Sequence, residues 1–174
     1  MLMTAKEHSE TYAIVGEMVL IASALDTVVN KVVIAVLHLG AAPLVESVVA
    51  TLDPSRKLEM LKERLQHIDS DSWRKPIEKF IGHVETVNKH RNAACHTPPI
   101  LENDKWTFKP IAAAKLLRRL DAKAKKLQPS LAMHDLKNAI GLGEKALGEG
   151  MNILDNFARA EAERARRDAA KTQS

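Results

Sequence analysis

The sequence predicts an all-α protein: an up-and-down helical bundle with a long first helix and a small β-hairpin insertion near residues 100–108. Apolar residues recur at helical spacing over most of the chain, and aromatic residues make up only 3% of it. Because strands draw on aromatic side chains, a core of Ala, Val, Leu, Ile and Met favours helices. The 174 residues contain no repeat and no linker, so we interpret 1–174 as a single domain.

The first helix is predicted to begin after Thr4, whose hydroxyl can form a capping box with Glu7, and to continue until Gly40. Its apolar stripe is long enough to raise the question of a membrane span. It also carries ionisable groups, among them Glu17 and Asp26, which would be costly in lipid. We therefore interpret it as a buried helix and expect no membrane partner.

Further helices are predicted from caps, prolines and apolar spacing. They are Leu44–Leu52, a helix that Asp53 caps with Pro54 in its first turn, Trp73–His96 with Pro76 in its first turn, Lys109–Leu127, and a last helix from a Ser130 cap into the 150s or beyond. The one hairpin is "ILENDKWTFK", with Asn103–Asp104 as its turn.

Glycines cluster in the last predicted helix, in "IGLGEKALGEG". No strand precedes them and no Lys–Ser/Thr pair follows, so a nucleotide-binding loop is rejected and no cofactor is predicted. The small residues lie instead at helical spacing, as Ala139, Gly143, Ala146 and Gly150. Such a stripe allows another helix to approach closely, within the bundle or across a dimer.

Composition favours a cytoplasmic protein. The start "MLMTAKEHSE" is polar where a secretory signal would be apolar, and the single Cys95 fits a reducing compartment. Lying between an alanine and a histidine, Cys95 is expected to fill the core rather than to act as a nucleophile. A net charge of +4 permits a polyanionic partner without requiring one.

The stretch "HRNAACHTPP" holds the residues best suited to chemistry. Arg91 offers a permanent cation for phosphate, and His96 offers an imidazole that can take or give a proton. On an ideal helix the two lie about 140° apart, so they converge only if the last turn distorts or if two copies of the helix meet. The alternative is a surface arginine and a histidine at the helix C-terminus, where a cation suits the dipole.

A long first helix followed by a later helix ending in "RNAACH" resembles the HEPN superfamily, whose hallmark is Arg, a polar residue and a following His. Arg91, Asn92 and His96 match these positions. The resemblance implies a homodimeric, metal-independent endoribonuclease in which His96 is the general acid or base, Arg91 clamps the phosphate and Asn92 orients one of them. It also implies a toxin, phage-defence or RNA-processing role, with RNA as substrate and an antitoxin or effector protein as partner.

A basic run in the predicted Lys109–Leu127 helix is the candidate RNA track. Its cations are Lys115, Arg118, Arg119, Lys123 and Lys126, and the alternative is a solvated helix face. His83 and His90 share a helix face, but no Asp or Cys completes a ligand set, so solvent-facing or hydrogen-bonded histidines are expected and no metal is predicted.

One functional alternative remains open beside the nuclease. Some HEPN members have lost activity, and the motif does not distinguish them. The chain would then be a catalytically inactive helical module that binds a partner protein, a nucleotide or RNA.

Overall fold

The protein is built mainly from α-helices. The computed structural model describes residues 5–40, 42–97, 99–102, 105–108 and 131–172. The helices in these ranges are α1 (Ala5–Val36), α2 (Pro43–Thr51), α3 (Pro54–Leu65), α4 (Asp71–His96) and α5 (Met133–Thr172). The strands are β1 (Pro99–Glu102), β2 (Lys105–Phe108) and β3 (Leu131–Ala132). The predicted all-α class with a small β insertion is confirmed, whereas Thr4, Ser130 and the predicted Lys109–Leu127 helix lie outside the described residues.

Helix α1 ends at Val36, earlier than the predicted end at Gly40. The Leu39 N–H donates to the Ile34 carbonyl at 2.9 Å, and the backbone of His38 adopts a left-handed φ of 53°. This is a Schellman-type end, in which glycine is the usual left-handed residue. The prediction was wrong because it placed the end at the glycine, whereas a histidine occupies the left-handed position.

Helices α2 and α3 follow the sequence prediction closely. The Asp53 Oδ1 atom accepts a hydrogen bond from the Ser55 N–H at 2.8 Å, so Asp53 caps α3, and Pro54 is its first residue. Leu58 and Leu61 are buried beneath it.

One charged residue of α3 is also buried, which the sequence analysis did not predict. The Lys57 side chain is 1% exposed, and its Nζ atom lies 2.8 Å from Oδ1 and 3.1 Å from Oδ2 of Asp26 on α1. A buried ammonium group is costly unless it is paired and hydrogen-bonded. The ion pair therefore fixes α3 against α1 at one position.

Helix α4 begins at Asp71, two residues before the predicted start, and ends at His96 as predicted. Pro76 consequently lies in the second turn rather than the first, where it cannot donate to the Ser72 carbonyl. The residues predicted to face inward are all buried, namely Ile77, Phe80, Ile81, Val84, Val87 and Ala94.

The predicted hairpin is present, and the sheet contains one further strand. β1 pairs antiparallel with β2, with Ile100 opposite Thr107 and Leu101 opposite Trp106. The turn predicted at Asn103–Asp104 lies outside the described residues. β3, which the sequence did not predict, pairs with the other edge of β2. A strand of two residues is too short to show the alternation by which strands are recognised.

Helix α5 has its own cap. The Asp135 carboxylate accepts a hydrogen bond from the Ala132 N–H at 2.9 Å, which is the returning half of a capping box. The helix runs 40 residues to Thr172, as the open-ended prediction allowed.

The chain forms two compact units, one comprising Met1–Ala22 and Thr86–Gly143 and the other Ser23–Glu85 and Glu144–Ser174. Met18, Val87, Phe108, Leu136, Ala139 and Ile140 are buried in the first. Leu25, Val29, Val32, Val33, Leu61, Phe80, Ala146 and Ile153 are buried in the second. The interpretation of 1–174 as one domain stays a prediction.

Helix α1 contains a 28-residue stretch, Ser9–Val36, that is long and apolar enough to cross a membrane by length and composition alone. The core helix of a soluble protein has the same properties, and 44% of the most apolar part of the stretch is buried inside the protein. Tyr12 and Leu20 are exposed on its outer side.

The predicted small-residue stripe of α5 is buried, and it accommodates neighbouring side chains within each unit. A Cβ atom at Gly143 would lie 2.2 Å from Cγ2 of Ile21. One at Gly150 would lie 2.4 Å from Cγ1 of Val28 and 2.9 Å from Cε2 of Phe80. Since real Cβ atoms do not approach so closely, these positions depend on the absence of a side chain.

We expect Gly150→Ala to destabilise the protein. The added methyl group gains about 1 kcal/mol of helix propensity but forces the stiff Val28 and Phe80 side chains apart, at a cost of about 1–3 kcal/mol. The matched control is Gly148→Ala, where a Cβ meets nothing within 4 Å and should stabilise by up to about 1 kcal/mol. Thermal unfolding measures both, and equal stabilisation by the two substitutions would contradict the close approach.

Candidate functional site

The motif residues occupy the C-terminal end of α4. The helix remains α-helical through His96, Thr97 is 8% exposed, and β1 begins at Pro99. The helix end is therefore tied to the small sheet by a short connection. Because the last turn is regular, the separation of about 140° between Arg91 and His96 is not closed by a distortion within one chain.

Arg91 continues the inner stripe of α4. It follows Val87 by four residues and precedes Ala94 by three, and both of these are buried. Residues at these spacings share a helix face. Arg91 is half-buried, and its guanidinium has no hydrogen bond or ion pair with any part of the chain that the structure describes.

Asn92 and His96 lie together on the outer side of α4. Both are exposed, and residues four apart on a helix are neighbours. Neither side chain has a polar partner within the described ranges. The structure thus brings two of the three motif residues to one solvent-facing surface and places the third on another face.

Cys95 is exposed, so the prediction that it fills the core was wrong. Ala94 takes the buried position in this turn, at 6% exposure. An angular step of about 100° turns the following side chain away from that position.

The local electrostatics favour a cation at this end. His96 lies in the last turn of α4, where the helix dipole stabilises positive charge. One turn earlier, Nδ1 of His90 lies 2.7 Å from the Thr86 carbonyl oxygen. Since that oxygen can only accept, Nδ1 of His90 carries the hydrogen of this bond.

The five cations of the candidate RNA track cannot be placed beside this site. Lys115, Arg118, Arg119, Lys123 and Lys126 all lie outside the described residues. Their proposed role stays a prediction.

His83 forms a polar cluster with Glu149 in the second unit. Its Nδ1 atom lies 2.7 Å from Glu149 Oε2, and the Lys79 Nζ atom lies 3.0 Å from Glu149 Oε1. Burial raises the pKa of Glu149, but the hydrogen bonds and charges of Lys79 and His83 outweigh it and leave that pKa below its usual value. His83, like His90, is thus hydrogen-bonded, as predicted. No group of three or more His, Cys, Asp and Glu side chains among the described residues could hold a metal ion.

A pocket lined by His38, Trp73 and Phe157 was also missed. These aromatic residues are far apart in the sequence, and no local pattern connects them. The ion pair between the buried Lys57 and the partly exposed Asp26 was missed for the same reason, since its partners are 31 residues apart.

Comparison with known proteins identifies no relative of this chain. No family model, no curated protein and no solved structure matches the chain. The motif and its geometry are therefore the features of the chain that bear on its function.

We expect Glu149→Gln to lower the melting temperature at neutral pH. Losing charge-assisted hydrogen bonds at a mostly buried carboxylate costs about 1–2 kcal/mol. Because the folded-state pKa of Glu149 is lowered, its contribution is present above the unfolded value of about 4.3 and is lost as the pH falls through the folded-state pKa.

The measurement is thermal unfolding of wild type and variant from neutral pH down to about pH 3. The control is Glu144→Gln on the same helix, whose carboxylate is exposed. A difference between wild type and Glu149→Gln that does not shrink in acid would contradict the assignment.

Proposed function

We propose that the protein is a metal-independent endoribonuclease of HEPN type that acts as a homodimer. The observation that carries the proposal is the placement of Arg91, Asn92 and His96 at the end of a long, regular helix, with Asn92 and His96 exposed side by side. None of the three side chains has a polar partner in the described part of the chain, and Asn92 and His96 are exposed to solvent.

The geometry of one helix explains why the proposal needs two copies. Arg91 lies on the inner stripe and His96 on the outer surface, about 140° away. A single α4 cannot point both side chains at one phosphate group. Two α4 ends meeting about a two-fold axis would let Arg91 of one copy face His96 of the other.

The proposed reaction is transfer within the RNA strand. A neutral His96 takes the proton of a ribose 2′-hydroxyl, whose oxygen attacks the adjacent phosphorus as the bond to the 5′-oxygen breaks. The imidazolium formed in this step then gives its proton to the departing 5′-oxygen. Arg91 stabilises the charge on the phosphate oxygens, and Asn92 orients the imidazole or the phosphate. The products carry a 2′,3′-cyclic phosphate and a 5′-hydroxyl.

The same proposal gives a cellular setting. It places the protein in the cytoplasm as a toxin, phage-defence or RNA-processing component whose activity an antitoxin or effector protein controls. An exposed thiol at Cys95 suits a reducing compartment. The Lys115–Lys126 cations would bind the RNA backbone beyond the cleaved bond.

A second function is favoured by one observation. Arg91 occupies the stripe that carries Val87 and Ala94 into the core, which is also where a structural arginine would lie. In that case the motif supports the fold, and the chain is an inactive helical module that binds a partner protein, a nucleotide or RNA.

We expect His96→Ala and Arg91→Ala each to reduce RNA cleavage by at least about 10²-fold, the usual loss when a general acid–base or a charge-stabilising group is removed. The assay incubates purified protein with mixed RNA in the presence of a chelator. The matched controls are Lys89→Ala and Cys95→Ala, which remove exposed side chains from the same turns. Cleavage that survives both motif substitutions would exclude this mechanism.

We also expect both motif variants to keep the wild-type stability. Solvent-facing or reaction-facing side chains change the free energy of unfolding by no more than about 0.5 kcal/mol, which is a shift in melting temperature of about 1–2 °C. A loss of several degrees in Arg91→Ala, measured by thermal unfolding, would instead support the structural role and the binding module.

A further inference from the structure

The second unit contains an open pocket of about 290 Å³, and nothing in the proposed nuclease chemistry uses it. It lies where the C-terminal end of α1 meets the start of α4 and the second half of α5. This volume is just below the usual range for small-molecule sites, about 300–1,000 Å³. It therefore suits a small ligand with one or two aromatic rings rather than a protein segment.

Aromatic rings form one part of the lining. The Phe157 ring packs edge to face against Trp73, with centroids 4.8 Å apart, and against His38, with centroids 6.0 Å apart. Each such contact uses one ring edge and one ring face. Trp73 and Phe157 are half-buried and line the pocket, so part of each ring can contact a flat ligand.

The His38 ring is held in place at a cost. Its backbone has a φ of 53°, a conformation that glycine adopts more readily. Strained residues of this kind persist where the surrounding structure holds them, and they cluster at binding sites. Here the left-handed residue ends α1, and its imidazole ring packs against Phe157.

Guanidinium groups form the other part of the lining. Arg64 donates from Nε to the Val36 carbonyl oxygen at 3.3 Å, which fixes its stem, while its two Nη groups have no partner in the described part of the chain. Arg164 is exposed on α5, and Glu161 is the only carboxylate among the lining residues. The charged side chains of the lining therefore carry a net positive charge.

We propose that this pocket binds a small aromatic anion, with its ring against Trp73, Phe157 and His38 and its acid group on Arg64 and Arg164. Arginine recognises carboxylates and phosphates with paired hydrogen bonds. An aromatic carboxylate and a nucleoside monophosphate share this chemistry. The inference uses none of the motif residues of α4, so it stands or fails separately from the nuclease.

The test uses Trp73 as its own reporter. Trp73 and Trp106 are the two tryptophans of the chain, and the indole N–H of Trp106 has no hydrogen-bond acceptor among the described residues. Trp106→Phe should therefore be tolerated, and it leaves Trp73 fluorescence as a signal from the pocket alone. The probes are adenosine 5′-monophosphate and phenylacetate, with adenosine and phenylacetamide as their neutral counterparts.

We expect a saturable change in Trp73 fluorescence with at least one of the two acids. Its neutral counterpart should bind at least about tenfold more weakly, as should the acid to Arg164→Gln, because a hydrogen bond between charged groups is lost. Arg167→Gln, an exposed arginine on the same helix, is the control and should bind as the parent does. Thermal unfolding verifies that each variant is folded.

The acid that gives the saturable signal identifies the ligand class. Phenylacetate indicates an aromatic carboxylate, and adenosine 5′-monophosphate indicates a nucleoside monophosphate. Three results would overturn the proposal: no saturable change with either acid, equal binding of acid and neutral counterpart, or unchanged affinity in Arg164→Gln.

Discussion

The regularity of α4 is the constraint on which the rest of the structure depends. The chain is α-helical without interruption from Asp71 to His96. The buried residues of this helix include Phe80 and Val84 in one unit and Val87 and Ala94 in the other. The regular rotation of about 100° per residue also sets the directions of the Arg91 and His96 side chains. It places Arg91 on the stripe that packs inward and His96 on the surface, and no local adjustment brings them together.

Two kinds of contact hold neighbouring helices in the second unit close together. Gly150 lets the Val28 and Phe80 side chains pack closely against the backbone of α5. The second contact is the Lys57–Asp26 ion pair. The Lys57 side chain is 1% exposed, so the burial of its ammonium group would be energetically costly without the Asp26 carboxylate. Packing alone tolerates small rearrangements, whereas a buried ammonium group with a single carboxylate partner favours one arrangement of α3 against α1.

The sequence predicted those features that depend on local periodicity and caps. The inner residues of α4, the Asp53 cap, the hairpin and the small-residue stripe all follow from spacing or from a residue's own backbone preferences. The features that it did not predict depend on residues distant in the chain, or on which of two nearby residues takes a given backbone position. β3 exists only through its pairing with β2, and the helix end at His38 is set by backbone bonding rather than by the nearby Gly40.

The same distinction applies to the candidate site. Its residue types and its place at a helix end could be read from "RNAACH", and so could the angle that separates Arg91 from His96. The exposure of Cys95 could not, because it depends on which side chain of the turn takes the buried position. The aromatic pocket also depends on tertiary structure, since Trp73 and Phe157 meet only when α4 and α5 have packed.

The central claim is that two chains share one reaction centre, and mixing two inactive variants tests it most directly. Arg91→Ala and His96→Ala protein, unfolded and refolded together in equal amounts, would form mixed dimers in which one centre has both an intact arginine and an intact imidazole. The account predicts recovery of about a quarter of the wild-type cleavage rate, since about half of the dimers are mixed and each has one intact centre. Mixed dimers that form, as verified with two affinity tags, and yet recover no cleavage above either variant alone would contradict it.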